Sequence, residues 1–204
     1  MARVARIVMP GVPHHVVQRG VRSMNIFNST EDRINYLMLM SESADKHSLQ
    51  INAYCLMDNH IHMIVTPPTV ESLAKGIGDA HKRFTRRQNL KTDTRGYLFQ
   101  GRFFSNAMDD DYANKAFTYI HYNPVRARMV AAPEDYIWSS AAFHMGQVAY
   151  DPLVKHRSLV PQNKYNLTEA DIEEFERKIG GNRALGKFPK EMGTQKLLCP
   201  QRAA

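Results

Sequence analysis

The chain is expected to fold as an α+β domain of the ferredoxin-like (RRM-like) kind, a β-α-β-β-α-β antiparallel sheet with helices on one face, followed by a further helix and a C-terminal arm. Three observations predict this. Four short runs carry the β-branched and aromatic residues that suit strands. Two longer stretches with helical apolar spacing lie between the first and second runs and between the third and fourth. A turn at Asp58-Asn59 makes a hairpin of the second and third.

Each element has its own signal. Residues 13–19, PHHVVQR, form the first strand, and Gly20 opens a turn region to about Asn28. Ser29 or Thr30 caps a helix with Glu31 and Asp32 at its positive end, and Ile34, Leu37, Met38 and Ala44 give its apolar spacing to about His47. Residues 50–57 form the second strand and 60–66 the third, which Pro67-Pro68 stops. A helix over about 70–89 carries the stripe Leu73, Ile77, Ala80 and Phe84, with Lys75, Lys82, Arg83, Arg86 and Arg87 mostly elsewhere on its surface. Residues 97–107 read as the fourth strand. The next helix starts at Asp109–Asp111 and runs to about Tyr122, where Pro124 ends or kinks it. Residues 1–149 make the main domain and 150–204 a partly ordered extension, with a helix from Thr168 through Ile172, Phe175 and Ile179 to Gly180-Gly181.

The whole chain narrows the function classes. A hydrophobic content of 43% in 204 residues supports a real core and excludes a disordered chain. A formal charge of +7 points to a polyanionic partner, nucleic acid first and an acidic membrane surface second. Cys55 and Cys199 lie far apart, which gives neither a disulfide framework nor a cysteine-rich zinc site and fits a reducing cytoplasm. The N-terminal residues carry charges and a proline where a signal peptide needs an apolar stretch. No apolar run approaches the roughly 20 residues of a membrane helix, so no membrane partner is expected.

The third strand, HIHMIVT, places His60 and His62 on one face, because side chains alternate along a strand. Two imidazoles side by side can hold a transition metal if a third donor joins them; hydrogen-bonded core histidines are the other reading. Cys55 lies across the hairpin but is more simply a small buried residue. In FTYIHYNPVRARMV, Tyr119 and Asn123 are one helical turn apart. They are either a nucleophile and an amide ligand or a core aromatic and a helix cap. Lys82, Arg83, Arg86 and Arg87, with the aromatics of YLFQGRFF, suit phosphates and stacked bases, and Arg19 and Arg102 are further phosphate contacts; a merely solvated helix face is the alternative. His14 and His15 are set aside as non-catalytic, with a place near nucleic acid open.

These motifs carry a resemblance. NHIHMIV matches the His-hydrophobic-His motif of the single-tyrosine HUH nucleases, and YIHYNPVRARMV resembles the tyrosine helix of the REP-associated tyrosine transposases, which are IS200-like. HHVVQRG, QGRFF and YIWSSAAFH fit the same family in the same order, so the resemblance spans about residues 10–145, and ALGKFPKEM echoes its C-terminal part. The resemblance implies cleavage and joining of single-stranded DNA beside palindromic hairpins. It implies Tyr119 as nucleophile, His60 and His62 as ligands of Mg²⁺ or Mn²⁺, and Asn123 as third ligand, where related insertion-sequence enzymes more often have glutamine. Related enzymes include dimers with shared sites, so a homodimer and a site completed by a partner both stay open. Two rivals use fewer of these residues: a single-stranded nucleic-acid binding module without chemistry, and a metal-dependent phosphoesterase acting on a small ester.

Overall fold

The computed structural model describes residues 6–157 and 167–181. Four strands form one antiparallel sheet in the order β2-β3-β1-β4: β1 His14–Arg19, β2 Gln50–Leu56, β3 His60–Thr66 and β4 Phe104–Ala107. The helices are α1 Thr30–Lys46, α2 Val70–Lys91, α3 Asp110–Arg126, α4 Ala141–His144 and α5 Glu169–Gly181. The β-α-β-β-α-β order and the central placement of β1 and β3 are those of the expected ferredoxin-like sheet.

The helix starts follow their caps. Ser29 accepts from Asp32 N, Thr69 and Ser72 form a reciprocal capping box, and Asp109 accepts from Tyr112 N at 2.8 Å. Helices α1 and α2 cover one sheet face, where Val16, Tyr54, Leu56, Ile61, Met63 and Val65 meet Leu73, Ile77, Ala80 and Phe84. Gly76 allows α2 to approach the turn after α1, because a Cβ there would lie 2.4 Å from Leu49 Cδ1. The second face carries Ala53, Cys55 and Ile64 and packs against Phe117, Tyr119 and Ile120 of α3 and Phe175 of α5.

Four local readings change. Of the expected apolar positions of α1, Leu37 and Ala44 are buried, but Ile34 and Met38 are 47% and 51% exposed, and Arg33, Tyr36 and Met40 turn inward in their place. The fourth strand is shorter than 97–107, since Gly101 adopts φ +66° and only Phe99 of the preceding stretch makes a bridge, to Gly20. Helix α3 runs through Pro124 to Arg126 rather than stopping near Tyr122. In β2 the register shifts between Ile51 and Ala53, a bulge with Asn52 as the extra residue.

The start of the extension packs on the domain. Val154 bridges Ile51 and Asp151 accepts from the Tyr54 hydroxyl at 3.1 Å; with Ser139 of the domain bridging Cys55, they cover the edge of β2. ALGKFPKEM and the rest of the tail lie outside the described residues.

Candidate active site

Strand alternation puts His60, His62 and Ile64 on the face away from α1 and α2. The turn before them is held from several sides. Arg33 forms an ion pair with Asp58, and Gly20 N donates to the Asn59 carbonyl at 2.9 Å. His60 Nδ1 donates to Asn59 Oδ1 at 2.6 Å, which fixes the proton on Nδ1 and leaves the Nε2 lone pair for another partner. The His60 and His62 rings stand edge to face with centroids 4.9 Å apart. Burial, and then Arg19, pushes the His60 pKa down to about 4. Burial, followed by His60 and His15, holds His62 well below the ordinary histidine value. Both rings are therefore neutral near pH 7, the state in which imidazole binds a metal.

Helix α3 crosses this face and brings the Tyr119 ring to 5.6 Å from that of His62. The two open readings of Tyr119 are not exclusive: the residue is 4% exposed, and its ring meets His62 of the histidine pair. Histidines and tyrosine come from the same chain. Burial raises the Tyr119 pKa, and Arg126 opposes this. The Arg126 guanidinium lies 4.2 Å from the centre of the Tyr119 ring and donates to its carbonyl at 3.3 Å. Phe175 covers the other side, stacked at 4.6 Å with the planes 22° apart.

Asn123 lies one turn beyond Tyr119, and its Nδ2 is buried without a hydrogen-bond partner. A half-turn of the carboxamide puts Oδ1 where that orphaned atom sits, so the residue fits a role as an oxygen donor. Among the described residues no three His, Cys, Asp or Glu side chains are grouped to hold a metal, which leaves an amide, water or substrate oxygen to complete any ion at His60 and His62. Cys55 pairs with His62 in the sheet register, but burial pushes its pKa up, and its Sγ lies 3.7 Å from Met57 Sδ. It reads as a buried thiol, not as a ligand.

The basic residues divide into two groups. Arg19 pairs with His60 across β1 and β3 and acts electrostatically on His60, His62 and Tyr119. Lys82, Arg83, Arg86 and Arg87 are exposed on α2, which packs on the opposite sheet face, and Arg83 is tied to Glu42 and Asp79. Arg102 is exposed near the end of the loop before β4. Of the aromatics in YLFQGRFF, Tyr97 is 89% exposed while Phe99 and Phe103 are in the core.

Three residues at this centre escape a reading by motif. Arg126 is seven positions after Tyr119 and returns to its face only if the helix passes Pro124. His15 reaches His62 diagonally from β1, with 3.2 Å between His15 Nε2 and His62 Nδ1. Phe175 belongs to the apolar face of a helix some fifty residues away, and nothing local marks what it covers.

Among the described residues no helix is long and apolar enough to cross a membrane. The solved structure of a REP-associated tyrosine transposase bound to a REP hairpin matches 82% of this chain and 100% of its own, with a TM-score of 0.61 and 19% identity. That likeness establishes the fold. A transposase candidate from Deinococcus radiodurans R1 matches 58% of this chain and 95% of its own at a TM-score of 0.42 and 14% identity, too loose a fit to add to the argument. No curated protein matches. The family model for IS200-like transposases matches residues 10–123, which takes in β1 through the tyrosine helix with His60, His62, Tyr119 and Asn123, and the chain belongs to that family.

Proposed function

We propose that the chain is a metal-dependent single-stranded DNA endonuclease and strand transferase that nicks beside hairpins through a 5′-phosphotyrosine on Tyr119. The observation that carries this is the contact of the Tyr119 ring with His62, itself edge to face with His60 in a pair of neutral imidazoles, beneath an arginine. Such a set matches what phosphodiester transfer needs: a nucleophile, a cation site and fixed positive charge.

His60 and His62, through Nε2, and Asn123, through Oδ1, would hold Mg²⁺ or Mn²⁺, with Mn²⁺ the better match to imidazole. When bound, the ion offsets charge on the non-bridging oxygens of the scissile phosphate. Tyr119 Oη loses its proton to solvent and attacks phosphorus. The bond to the 3′ oxygen breaks, and that oxygen leaves as a hydroxyl after taking up a proton. Arg126 favours the phenolate, and Arg19 offers charge to the phosphate beside His60. Attack by another 3′ hydroxyl on the phosphotyrosine reverses the step without ATP. Because Tyr119 is 4% exposed under Phe175, the DNA reaches it only after α5 lifts.

The hairpin held by the similar transposase, and the +7 charge of this chain, support a hairpin substrate. Lys82, Arg86 and Arg87 would meet a duplex stem that wraps past the sheet edge, and Arg102 and Tyr97 would meet unpaired bases and phosphates. The covered tyrosine favours one second reading, a binding module without chemistry. The decisive experiment incubates the protein with Mn²⁺ and a single-stranded hairpin oligonucleotide. A denaturation-resistant protein–DNA adduct is expected, and Tyr119→Phe should abolish it. Tight, metal-independent binding with no adduct would select the binding module. A chelator-sensitive esterase activity without adduct would select the phosphoesterase.

A further inference from the structure

His15 is fully buried on β1, and its register partner Ile64 places it on the sheet face that carries His62. Its Nε2 lies 3.2 Å from His62 Nδ1, and the two rings are 23° from parallel with centroids 5.4 Å apart. Its Nδ1 is buried and has no hydrogen-bond partner among the described residues. The edges around it are filled by Tyr119 and Phe175. The one hydrogen bond of this buried polar ring therefore goes to a residue read above as a metal ligand.

Two neutral imidazoles share that bond, so one proton lies between them, and there are two ways to arrange it. In the first, His15 Nε2–H donates to His62 Nδ1. The His62 proton then sits on Nε2, which blocks that atom as a ligand. In the second, His62 Nδ1–H donates to His15 Nε2. The His62 Nε2 lone pair is free, and the His15 proton moves to its buried Nδ1. Passing from the first to the second shifts one proton within each ring, and none is gained or lost overall.

We propose that His15 is a positioning residue, the acceptor that holds His62 in its Nδ1–H tautomer so that Nε2 can face the metal. This rests on the reading of His60 and His62 as ligands. It pairs with the contact on His60, whose Nδ1 proton is already held by Asn59. Each strand-borne ligand then has its own acceptor, one from the adjacent turn and one from the neighbouring strand. Such outer partners orient the ring and commonly change metal affinity by about 10- to 100-fold when removed. The orphaned His15 Nδ1 follows: the pair is built so that the second arrangement leaves an unpartnered N–H there, and an ion must supply the difference.

The test measures Mn²⁺ uptake by electron paramagnetic resonance on the full chain without DNA. His15→Phe keeps the flat ring and removes the acceptor, and it should weaken Mn²⁺ binding by about 10- to 100-fold. His15→Gln keeps an acceptor oxygen and should bind within a few-fold of wild type. Long-range ¹⁵N–¹H spectra of the wild-type protein with Mg²⁺ should show His62 protonated at Nδ1, and these decide the matter if His15→Phe does not fold. Equal Mn²⁺ affinity in His15→Phe, or His62 protonated at Nε2 with Mg²⁺ bound, overturns the proposal. A wild-type chain that takes up no Mn²⁺ at all removes the ligand reading itself, and the role of His15 with it.

Discussion

Replacing Phe175 by alanine should detach α5 from the sheet without unfolding the domain. Phe175 is 2% exposed, and it stacks on Tyr119 at 4.6 Å and meets Tyr112 at a tilt with centroids 4.8 Å apart. Exposing a buried phenylalanine costs about 1.5–3 kcal/mol. The aromatic pairs add about 0.5–1.5 kcal/mol, and alanine retains part of the burial, so the loss is roughly 2–4 kcal/mol. At about 1.4 kcal/mol per factor of ten, the ratio of docked to undocked α5 falls roughly 30- to 700-fold. The remaining anchors are weak. Lys115–Asp171 is a surface ion pair at 2.7 Å with Lys115 43% exposed, the sort that contributes about 0–1 kcal/mol. Ile172 and Ile179 are only partly buried. Hydrogen exchange resolved by peptide is the assay. Amides of 169–181 should lose protection by that factor while β1 and β3 keep theirs, and Tyr119 should become open to nitration. Unchanged protection in α5, or equal loss in the central strands, would refute the idea of a separately docked helix.

Three further outcomes are expected. Arg126→Gln removes the group that opposes the burial-driven rise in the Tyr119 pKa, so the pH dependence of adduct formation should move upward, and the rate near neutral pH should fall by about a hundredfold. An unshifted pH profile would detach Arg126 from the chemistry. Tyr97→Ala should leave the melting temperature unchanged, since the ring is 89% exposed, and should weaken binding of an unpaired oligonucleotide by about 1–3 kcal/mol if one base stacks there. Acid should destabilise the protein in two stages. Burial lowers the His81 pKa to about 3, so the unfolded chain takes the proton first, and stability is lost as pH falls below about 6.5. Burial alone would raise Asp32, but hydrogen bonds led by Gln88 and Lys91 outweigh it and bring the pKa to about 2, so its contribution is present above about pH 4 and lost as pH falls toward 2. Denaturant titrations from pH 8 to 3 should show this, with a shallower slope for His81→Gln in the upper part of the range; equal slopes would contradict it.

The sheet and the histidine face were legible because period-two alternation is local: His60 and His62 share a side whatever else the chain does. Helix α2 was legible for the same reason, since its four apolar positions are all fully buried. Helix α1 misled in part because polar residues are set among Tyr36, Leu37, Leu39, Met40 and Ala44 on its inner face. Asp32 is 1% exposed and satisfied by Gln88 and Lys91, Ser43 donates to the Gly76 carbonyl, and the Tyr36 hydroxyl meets His81. With polar groups paired inside, Ile34 and Met38 could face outward, and hydrophobicity no longer marked the core side. The approach of Tyr119 to His62 depends on how α3 crosses the sheet, a tertiary fact that no spacing contains. Pro124 hid Arg126, because a helix-interior proline normally signals an end.

The bulge at Asn52 reaches beyond local geometry. Ile51 faces α1 and α2, and so do Tyr54 and Leu56, although strict alternation would put Ile51 and Tyr54 on opposite sides. The extra residue reconciles them. Deleting Asn52 would leave Ile51 and Tyr54 two positions apart, the spacing that plain alternation puts on one face, so the Tyr54 hydroxyl would keep its bond to Asp151. Length is therefore forgiving at the bulge, whereas one residue lost from within β3 would turn part of that strand over, taking either its histidine face from Tyr119 or its core side chains from α1 and α2. Residues 92–97, exposed and outside every strand, carry no such constraint on their number.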